Sequence, residues 1–250
     1  MRIPKTLVFV PTYNEVDNAP SLCRQLFQLG LDCDVLFVDD NSPDGTADVL
    51  AAMRSEFPRL LVQKRSGKLG IGSAHAGAIA WAYENAYDVL VTLDGDFSHS
   101  PADVPKLIKA AESADIAVGS RWLTANSLPG WNYYRRFMTR LGHALTKYVL
   151  GIPHDASGAF RAYRLDRIAK ETFAAVQSLG YSFFFESMFI LKQRGHSFSE
   201  VPIVLPARTY GNSKMKLQDV WHSGRYIFTL RLAHLCGKGP LRRLRNKQKS

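Results

Sequence analysis

The stretch LVTLDGDFSHSP, residues 90–101, is an apolar run that ends abruptly in two aspartates separated by one glycine. The mostly apolar residues 87–93 are typical of a strand that is covered on both faces of a sheet. Asp94 and Asp96 follow at its carboxyl end, where open α/β sheets bind their ligands. Carboxylates this close repel each other unless a cation or hydrogen-bond donors compensate them. The stretch therefore favours a buried strand that leads into a metal-binding turn.

A polar turn that caps the next helix is the alternative interpretation of these residues. It suits Ser100 as the N-cap residue and Pro101 as the first helical residue. It does not explain why two carboxylates precede them. The metal-binding hypothesis does, with His99 as a candidate hydrogen-bonding partner of the acids.

The composition is typical of one globular domain. The chain has 250 residues, of which 46% are hydrophobic and 22% charged, so it can bury a large core. Its three cysteines show no metal-binding spacing and cannot all pair, which favours a reducing, cytosolic location. The apolar start TLVFV is too short for a signal peptide, and no run approaches the ~18 apolar residues of a membrane span.

The charge is distributed unevenly along the chain. Residues 1–206 contain 21 basic and 21 acidic residues, whereas residues 207–250 contain 11 basic residues and the single acid Asp219. The basic end therefore carries the whole net charge of +10. Such an end needs an anionic partner: a lipid phosphate, a nucleic acid or an acidic protein.

The first half alternates strand-like and helix-like segments. Strands are predicted at residues 6–10, 34–38, 60–63, 87–93 and 115–118, and helices at 19–29, 46–57, 73–85 and 102–113. This order is typical of an α/β fold with a single doubly wound, mostly parallel sheet. The second half predicts helices at 133–150, 183–194 and 216–236, a strand within 156–164 and an edge strand at 198–204.

Four polar loops follow the first four predicted strands: PTYNE (11–15), VDDNSPDGT (38–46), RSGKLGIGSAHAG (65–77) and LDGDFSH (93–99). Together they can line the crevice that a nucleotide requires. Tyr13 can lie against a base, and Glu15 or Asp39 can accept hydrogen bonds. Arg65 or Lys68 can neutralise phosphate, although the glycine-rich loop is neither a Walker A sequence nor a dinucleotide fingerprint. A plain turn is the alternative for that loop.

The motifs also occur in a familiar order. PTYNE, VDDNSPDGT, RSGKLGIGSA, DGDFSHSP, GSR, FRAYR, YSFFFES and EVPIVLPARTYGNSKM resemble those of dolichyl-phosphate mannose synthases, which are family 2 glycosyltransferases. The resemblance covers about residues 6–216. It implies a GT-A fold with a Rossmann-like nucleotide-binding half. Residues 1–216 would be the catalytic domain, and residues 217–250 an amphipathic helix and a basic tail.

The resemblance implies the site residues as well. Asp94 and Asp96, with Ser98, are expected to hold a divalent metal, Mg²⁺ or Mn²⁺. The expected catalytic set is Asp94, Asp96, Arg121, Arg208 and Lys214, of which the three cations would bind donor or acceptor phosphate. The expected substrate-binding residues are Pro11, Tyr13, Glu15, Asp39, Asp40, Lys68, Gly72 and Arg161.

The expected reaction is the transfer of a hexose from a nucleotide sugar to a polyprenyl phosphate with inversion. Mannose from GDP-mannose is the first choice, and UDP-glucose is left open. A lipid phosphate is already an anion and needs no general base. A hydroxyl acceptor on a glycan, protein or lipid is the alternative, and it requires a base, for which Asp155 is the nearest candidate. The third hypothesis is a non-catalytic protein that binds a nucleotide sugar or a nucleic acid.

The basic end has two interpretations. A helix over 217–235 followed by six basic residues would lie on an anionic membrane, at its cytoplasmic face. Alternatively, the helix packs on the catalytic domain and the tail solubilises it. A membrane partner subunit is left open. No specific nucleic acid is expected, because the charge lies in a tail and not in a stripe interleaved with aromatic residues.

Overall fold

The protein is described by a computed structural model that covers residues 3–206 and 217–237. Within those residues the strands form one seven-stranded sheet: β1 (Thr6–Thr12), β2 (Cys33–Asp39), β3 (Leu60–Lys64), β4 (Val89–Thr92), β5 (Ile116–Ser120), β6 (Arg161–Arg164) and β7 (Phe198–Pro202). Their order is β3-β2-β1-β4-β6-β5-β7. Strands β1 to β4 are parallel, β6 is antiparallel to β4 and β5, and β7 is parallel to β5. The predicted mostly parallel sheet is confirmed.

Helices connect and cover these strands. They are α1 (Ala19–Gln28), α2 (Thr46–Ala52), α3 (Ile71–Glu84), α4 (Val104–Ala110), α5 (Tyr133–Tyr148), α6 (Lys170–Ala174), α7 (Phe183–Gln193) and α8 (Leu217–Leu235). Alternate side chains of a strand point to opposite faces of the sheet. Both faces are buried, because helices pack on each of them. In β1, Leu7 and Phe9 face a core shared with α3 and α7, whereas Val8 and Val10 face a core shared with α1 and α4.

Some element boundaries differ from the sequence prediction. The strand predicted at 87–93 is limited to β4, although Tyr87 and Leu93 on either side are buried. The helix predicted at 102–113 starts as a 3₁₀ turn at Pro101–Asp103, and Ser100 precedes it without a side-chain capping bond. Helix α6 was not predicted, because five residues are too few for a periodic pattern.

Helix α8 packs on the rest of the protein through one face. Ile227 and Leu230 belong to the core that also contains α7. Gly237, with φ of +65°, follows the helix in the left-handed conformation that glycine readily adopts at helix ends. Of the helices in the described ranges, none combines the length and apolar character needed to cross a bilayer.

Candidate active site

The carboxyl ends of β1, β2 and β4 bring three of the polar loops together. Strand β1 lies between the other two, and its last residue, Thr12, is paired with Asp39 at the end of β2. The loop after β4 packs directly on the end of β1. A Cβ atom on Gly95 would lie 3.1 Å from the Pro11 carbonyl oxygen and 3.3 Å from Thr12 Cγ2. Glycine therefore permits the close approach that places the two aspartates beside the PTYNE loop.

Backbone N–H groups of the aspartate loop, residues 93–99, donate hydrogen bonds to side chains of the same loop. The Asp94 N–H donates to His99 Nδ1 at 3.2 Å, and the Ser98 N–H donates to Asp96 Oδ1 at 3.0 Å. The His99 ring is buried and stacks on Phe160 at a centroid distance of 4.9 Å. The same Nδ1 lies 3.6 Å from Asp94 Oδ2. His99 thus acts as a partner of this loop, as the sequence suggested.

The two carboxylates are accessible enough to meet a ligand. The Asp94 side chain is 26% exposed and Asp96 is half-buried, whereas Ser98 is buried. Among the residues that the structure describes, no three His, Cys, Asp or Glu side chains converge as a metal site. Two carboxylates still fit a hard cation such as Mg²⁺, which commonly takes one or two of them and completes its shell with water and substrate phosphate.

Asp39 supports the loops instead of presenting its carboxylate. It is fully buried, and it accepts hydrogen bonds from Thr12 Oγ1 at 3.1 Å, the Ser42 N–H at 2.7 Å and the Ser42 hydroxyl. Ser42 Oγ in turn accepts from the Asn14 N–H at 2.9 Å. Both of its oxygens tie the PTYNE loop to the loop after β2, and the expectation that Asp39 faces a nucleotide stays a prediction.

Side chains of the glycine-rich loop contact the loops after β1 and β2. Arg65 donates to Asp40 Oδ1 at 2.6 Å and to Ser73 Oγ at 2.7 Å. Lys68 Nζ lies 3.9 Å from the centroid of the Tyr13 ring. Asp40 is thus paired with a cation, and Tyr13 and Lys68, which were predicted to bind substrate, contact each other.

Glu15 lies in the same group of loops. Its Oε2 accepts from Asn18 Nδ2 at 2.8 Å, and its N–H donates to Thr46 Oγ1 at 3.0 Å. The side chain is half-buried. The bond to Thr46 anchors the PTYNE loop to the start of α2, and the bond from Asn18 joins it to the start of α1.

Gly72 does not offer an open backbone to a ligand. It is buried at the start of α3, and an added Cβ would lie 2.6 Å from the Gly180 carbonyl oxygen. The next N–H, of Ser73, donates to the Leu179 carbonyl oxygen at 3.0 Å. The segment before α7 packs directly on Gly72, and the expected role of Gly72 in substrate binding stays a prediction.

Arg161 lies in the interior, and the expectation that it contacts phosphate stays a prediction. It is fully buried. Its NH1 donates to the Phe184 carbonyl oxygen at 2.9 Å and to Ser187 Oγ at 3.1 Å, and its NH2 donates to the Ala156 carbonyl oxygen at 2.9 Å. The guanidinium therefore ties β6 to α7.

Arg121 and Asp155 form a buried ion pair. Arg121 Nε donates to Asp155 Oδ2 at 2.7 Å and its NH2 donates to Oδ1 at 3.2 Å, while Glu200 Oε1 accepts from the Asp155 N–H at 3.2 Å. Burial opposes ionisation of Asp155, but the charge and hydrogen bonds of Arg121 outweigh it. The pKa of this carboxyl consequently lies below its usual value. Asp155 is a paired anion and a poor candidate for a general base.

Two expected phosphate ligands, Arg208 and Lys214, lie outside the described residues. Sequence reasoning missed Ser42, Glu186 and Glu200, which organise this region. A signal for Glu186 was available, because an acid inside the apolar run FFFESMFIL must be paired if it is buried.

The fold and the site define the class of the protein. The chain matches the model of glycosyl transferase family 2 over residues 7–170 and belongs to that family. The predicted enzyme class, a glycosyltransferase, is confirmed.

Two curated relatives are each 35% identical to it. One is the undecaprenyl-phosphate mannosyltransferase of Micrococcus luteus, with 84% of this chain and 87% of the relative aligned. The other is the polyprenol monophosphomannose synthase of Mycolicibacterium smegmatis, with 86% and 83% aligned.

Solved structures confirm the GT-A fold. Glucosyl-3-phosphoglycerate synthase from Mycobacterium tuberculosis, in complex with Mn²⁺, UDP and glucosyl-3-phosphoglycerate, superposes with a TM-score of 0.62 at 19% identity, covering 94% of this chain and 80% of that one. The mannosyltransferase PcManGT from Pyrobaculum calidifontis, in complex with GDP-Man and Mn²⁺, gives 0.56 at 15% identity, covering 94% and 75%. At these identities the likeness shows the fold alone.

Proposed function

We propose that this enzyme transfers mannose from GDP-mannose to a polyprenyl phosphate, with inversion at the anomeric carbon. The observation that carries the proposal is the 35% identity, over most of both lengths, to two enzymes named for polyprenyl-phosphate mannose transfer. The loops after β1, β2 and β4 would bind the nucleotide sugar in the catalytic domain of residues 1–216. A solved structure of the same fold is named with GDP-Man and Mn²⁺, so the fold can accommodate this donor and metal.

The buried ion pair favours a phosphate acceptor over a hydroxyl. A hydroxyl must lose a proton as it attacks, and the base available for that role, Asp155, is bound to Arg121 in the interior. A polyprenyl phosphate is an anion at neutral pH. Its oxygen attacks the anomeric carbon, the bond from that carbon to the diphosphate breaks, and the electron pair leaves with the nucleoside diphosphate.

The residues of the site would hold and orient the two anions. Asp94 and Asp96 would hold Mg²⁺ or Mn²⁺, whose charge would offset that of the leaving diphosphate. Lys68 would approach the donor from the glycine-rich loop. The cations expected at Arg208 and Lys214 would bring the acceptor phosphate to the donor, which makes the reaction effectively intramolecular.

We also place the enzyme on an anionic membrane surface, at the cytoplasmic face, through α8 and the basic tail. The outward face of α8 carries exposed apolar residues at heptad-like spacing: Trp221, Phe228, Leu232 and Leu235. Helix α5 contacts α8 and has four basic residues and no acid. It also carries exposed apolar residues at similar spacing: Tyr134, Phe137, Leu141 and Tyr148. Exposed aromatic and basic residues on one helix suit the headgroup region of a bilayer.

The test is transfer of radiolabel into the organic phase. The purified protein is incubated with a panel of nucleotide sugars, Mn²⁺ or Mg²⁺, and a polyprenyl phosphate. We expect EDTA-sensitive label from GDP-mannose, and a loss of about 100-fold or more in Asp94→Asn and in Asp96→Asn. Asp48→Asn, an exposed acid on α2, is the control and should retain activity. Full metal-dependent turnover in both aspartate variants, or label found only on a hydroxyl acceptor, would overturn the proposal.

A further inference from the structure

The short segment 177–180, between α6 and α7, supports the glycine-rich loop. Leu179 contributes its carbonyl oxygen to the Ser73 N–H, at 3.0 Å. Ideal Cβ atoms on Gly70 and Gly72 would lie 2.8 Å from the Leu179 oxygen and 2.6 Å from the Gly180 oxygen. The two backbones therefore touch, and a displacement of segment 177–180 must displace the start of α3.

Glu186 holds this segment in place. It is a fully buried carboxylate in α7. Its Oε1 accepts from the Gln177 N–H at 3.0 Å and its Oε2 accepts from the Ser178 N–H at 2.9 Å. A buried carboxylate that accepts two backbone hydrogen bonds is tightly located, because losing either bond leaves a desolvated charge or a desolvated N–H group.

Helix α8 joins the same network. Tyr226 is half-buried, its ring lies 6.1 Å from that of Phe185 in α7, and its phenol interacts electrostatically with Ser178 and Glu186. Burial and the neighbouring charge of Glu186 raise the pKa of Tyr226 well above its usual value, so the phenol stays protonated. One turn before Tyr226, Ser223 Oγ lies 3.2 Å from Ser182 Oγ, immediately before α7. Side chains of the C-terminal helix thus contact α7 and the residue just before it, next to segment 177–180.

On its other side the glycine-rich loop reaches the candidate nucleotide site. Arg65 binds both Asp40 and Ser73, and Lys68 lies over the Tyr13 ring. The contacts therefore form a continuous path from α8, through Glu186 and segment 177–180, to the loops after β1 and β2.

We propose that Glu186 is a positioning residue for nucleotide-sugar binding, which holds the glycine-rich loop through segment 177–180, and that Tyr226 connects this constraint to α8. The proposal rests on the proposed function for the identity of the ligand. It predicts that Glu186 affects the donor side of the site and leaves the acceptor side unchanged.

The test compares Glu186→Gln with wild type as full-length chains. The glutamine amide would turn an N–H group toward one of the two backbone N–H donors, so one bond is lost without a large change of volume. We expect the Kd for GDP and the KM for GDP-mannose to rise about ten-fold, with the KM for the lipid phosphate unchanged within about two-fold. Tyr226→Phe should cause a smaller change in the same direction.

Hydrogen exchange of the nucleotide-free protein provides a second readout. In Glu186→Gln, peptides covering residues 65–75 should exchange faster, whereas peptides from β5 should not change. Ile190→Val is the matched control, since this buried residue lies on the same helix but in a separate cluster with Ala175. It should lower thermal stability without changing either readout.

Unchanged exchange at 65–75, or an equal rise in the donor and acceptor KM values, would overturn the proposal. A wild-type protein that transfers no sugar to polyprenyl phosphate would refute the proposed function alone. The exchange result would still decide the role of Glu186.

Discussion

His75 is a fully buried imidazole in the layer between the sheet and α7. Its ring is nearly perpendicular to those of Phe9 and Phe184, at centroid distances of 5.0 and 4.9 Å. Within the part of the chain that the structure describes, neither ring nitrogen has a hydrogen-bond partner. Burial, with a smaller contribution from the charge of Arg161, lowers the pKa of His75 from 6.5 to about 3. The residue is therefore neutral when the protein is folded.

This burial predicts a loss of stability in acid. Between pH 6.5 and about 3 the unfolded chain binds a proton at His75 that the folded chain does not. The stability linked to this group is complete above pH 6.5 and falls by up to about 1.4 kcal/mol per pH unit below it. His75→Leu should leave the free energy of unfolding at pH 7.5 within about 1.5 kcal/mol of wild type and flatten the decline toward pH 5. Urea titrations at pH 7.5 and pH 5 measure the free energy of unfolding of both proteins. An equal decline in wild type and in His75→Leu would refute the prediction.

At the scale of elements, the start of α3 depends on a close contact between backbones. A Cβ atom on Gly72 would lie 2.7 Å from the Leu179 carbonyl carbon and 2.8 Å from Phe183 Cβ, in addition to its contact with the Gly180 oxygen. None of these atoms is the end of a flexible side chain. The helix and the segment before α7 must therefore separate if any larger residue replaces the glycine.

Gly72→Ala is expected to destabilise the protein by about 1–3 kcal/mol and to weaken nucleotide binding. Gly77→Ala, on the same helix, is the matched control, because nothing lies within 4 Å of its ideal Cβ. Gly77 is exposed, so the free energy of unfolding of Gly77→Ala should instead rise by up to about 1 kcal/mol, because alanine has a higher helix propensity than glycine. Denaturant titrations of both variants distinguish the two effects. A similar change in the free energy of unfolding of both variants would mean that the contact between Gly72 and segment 177–180 does not contribute to stability.

At the scale of the whole molecule, the excess basic charge lies at one end of the chain, and exposed apolar residues occur on α8 and on α5. Residues 1–206 are electrically balanced, and the excess charge follows them. Helix α8 buries Ile227 and Leu230 yet leaves Trp221 72% exposed, and α5 leaves Phe137 63% exposed. The core interpretation of α8 therefore applies to one face of the helix, and the proposed membrane interpretation applies to the other.

Flotation with anionic vesicles tests the membrane proposal. A chain that ends at Leu235 loses six basic residues, each worth about 1 kcal/mol near an anionic surface, and should bind more weakly. The double variant Tyr134→Ser, Phe137→Ser should also bind more weakly, even in high salt, because it removes apolar contacts. Val49→Ser, at an exposed apolar position on α2, is the control. Undiminished binding by both altered chains would remove α5 and the tail from the membrane contact.

Much of the fold was predictable because its signals are local. Each of the first five strands is a short apolar run between turns, and the rhythm of strands and helices is visible in residues 6–120. The antiparallel insertion of β6 between β4 and β5 was not predictable. Its place depends on pairings such as Thr92 with Arg161, which are far apart in sequence and leave no periodic pattern.

The sequence by itself determined the alternation of strands and helices and the position of Asp94 and Asp96 at the end of β4, because both follow from neighbouring residues. Only the tertiary structure decided which of the candidate polar groups are buried. Asp39, Gly72 and Arg161 had the residue types of a binding site, yet each lies in the interior. Arg161 binds the backbone of Phe184, and Gly72 touches Gly180. A polar group's burial depends on partners distant in the chain, whereas a sequence pattern reports only on its neighbours.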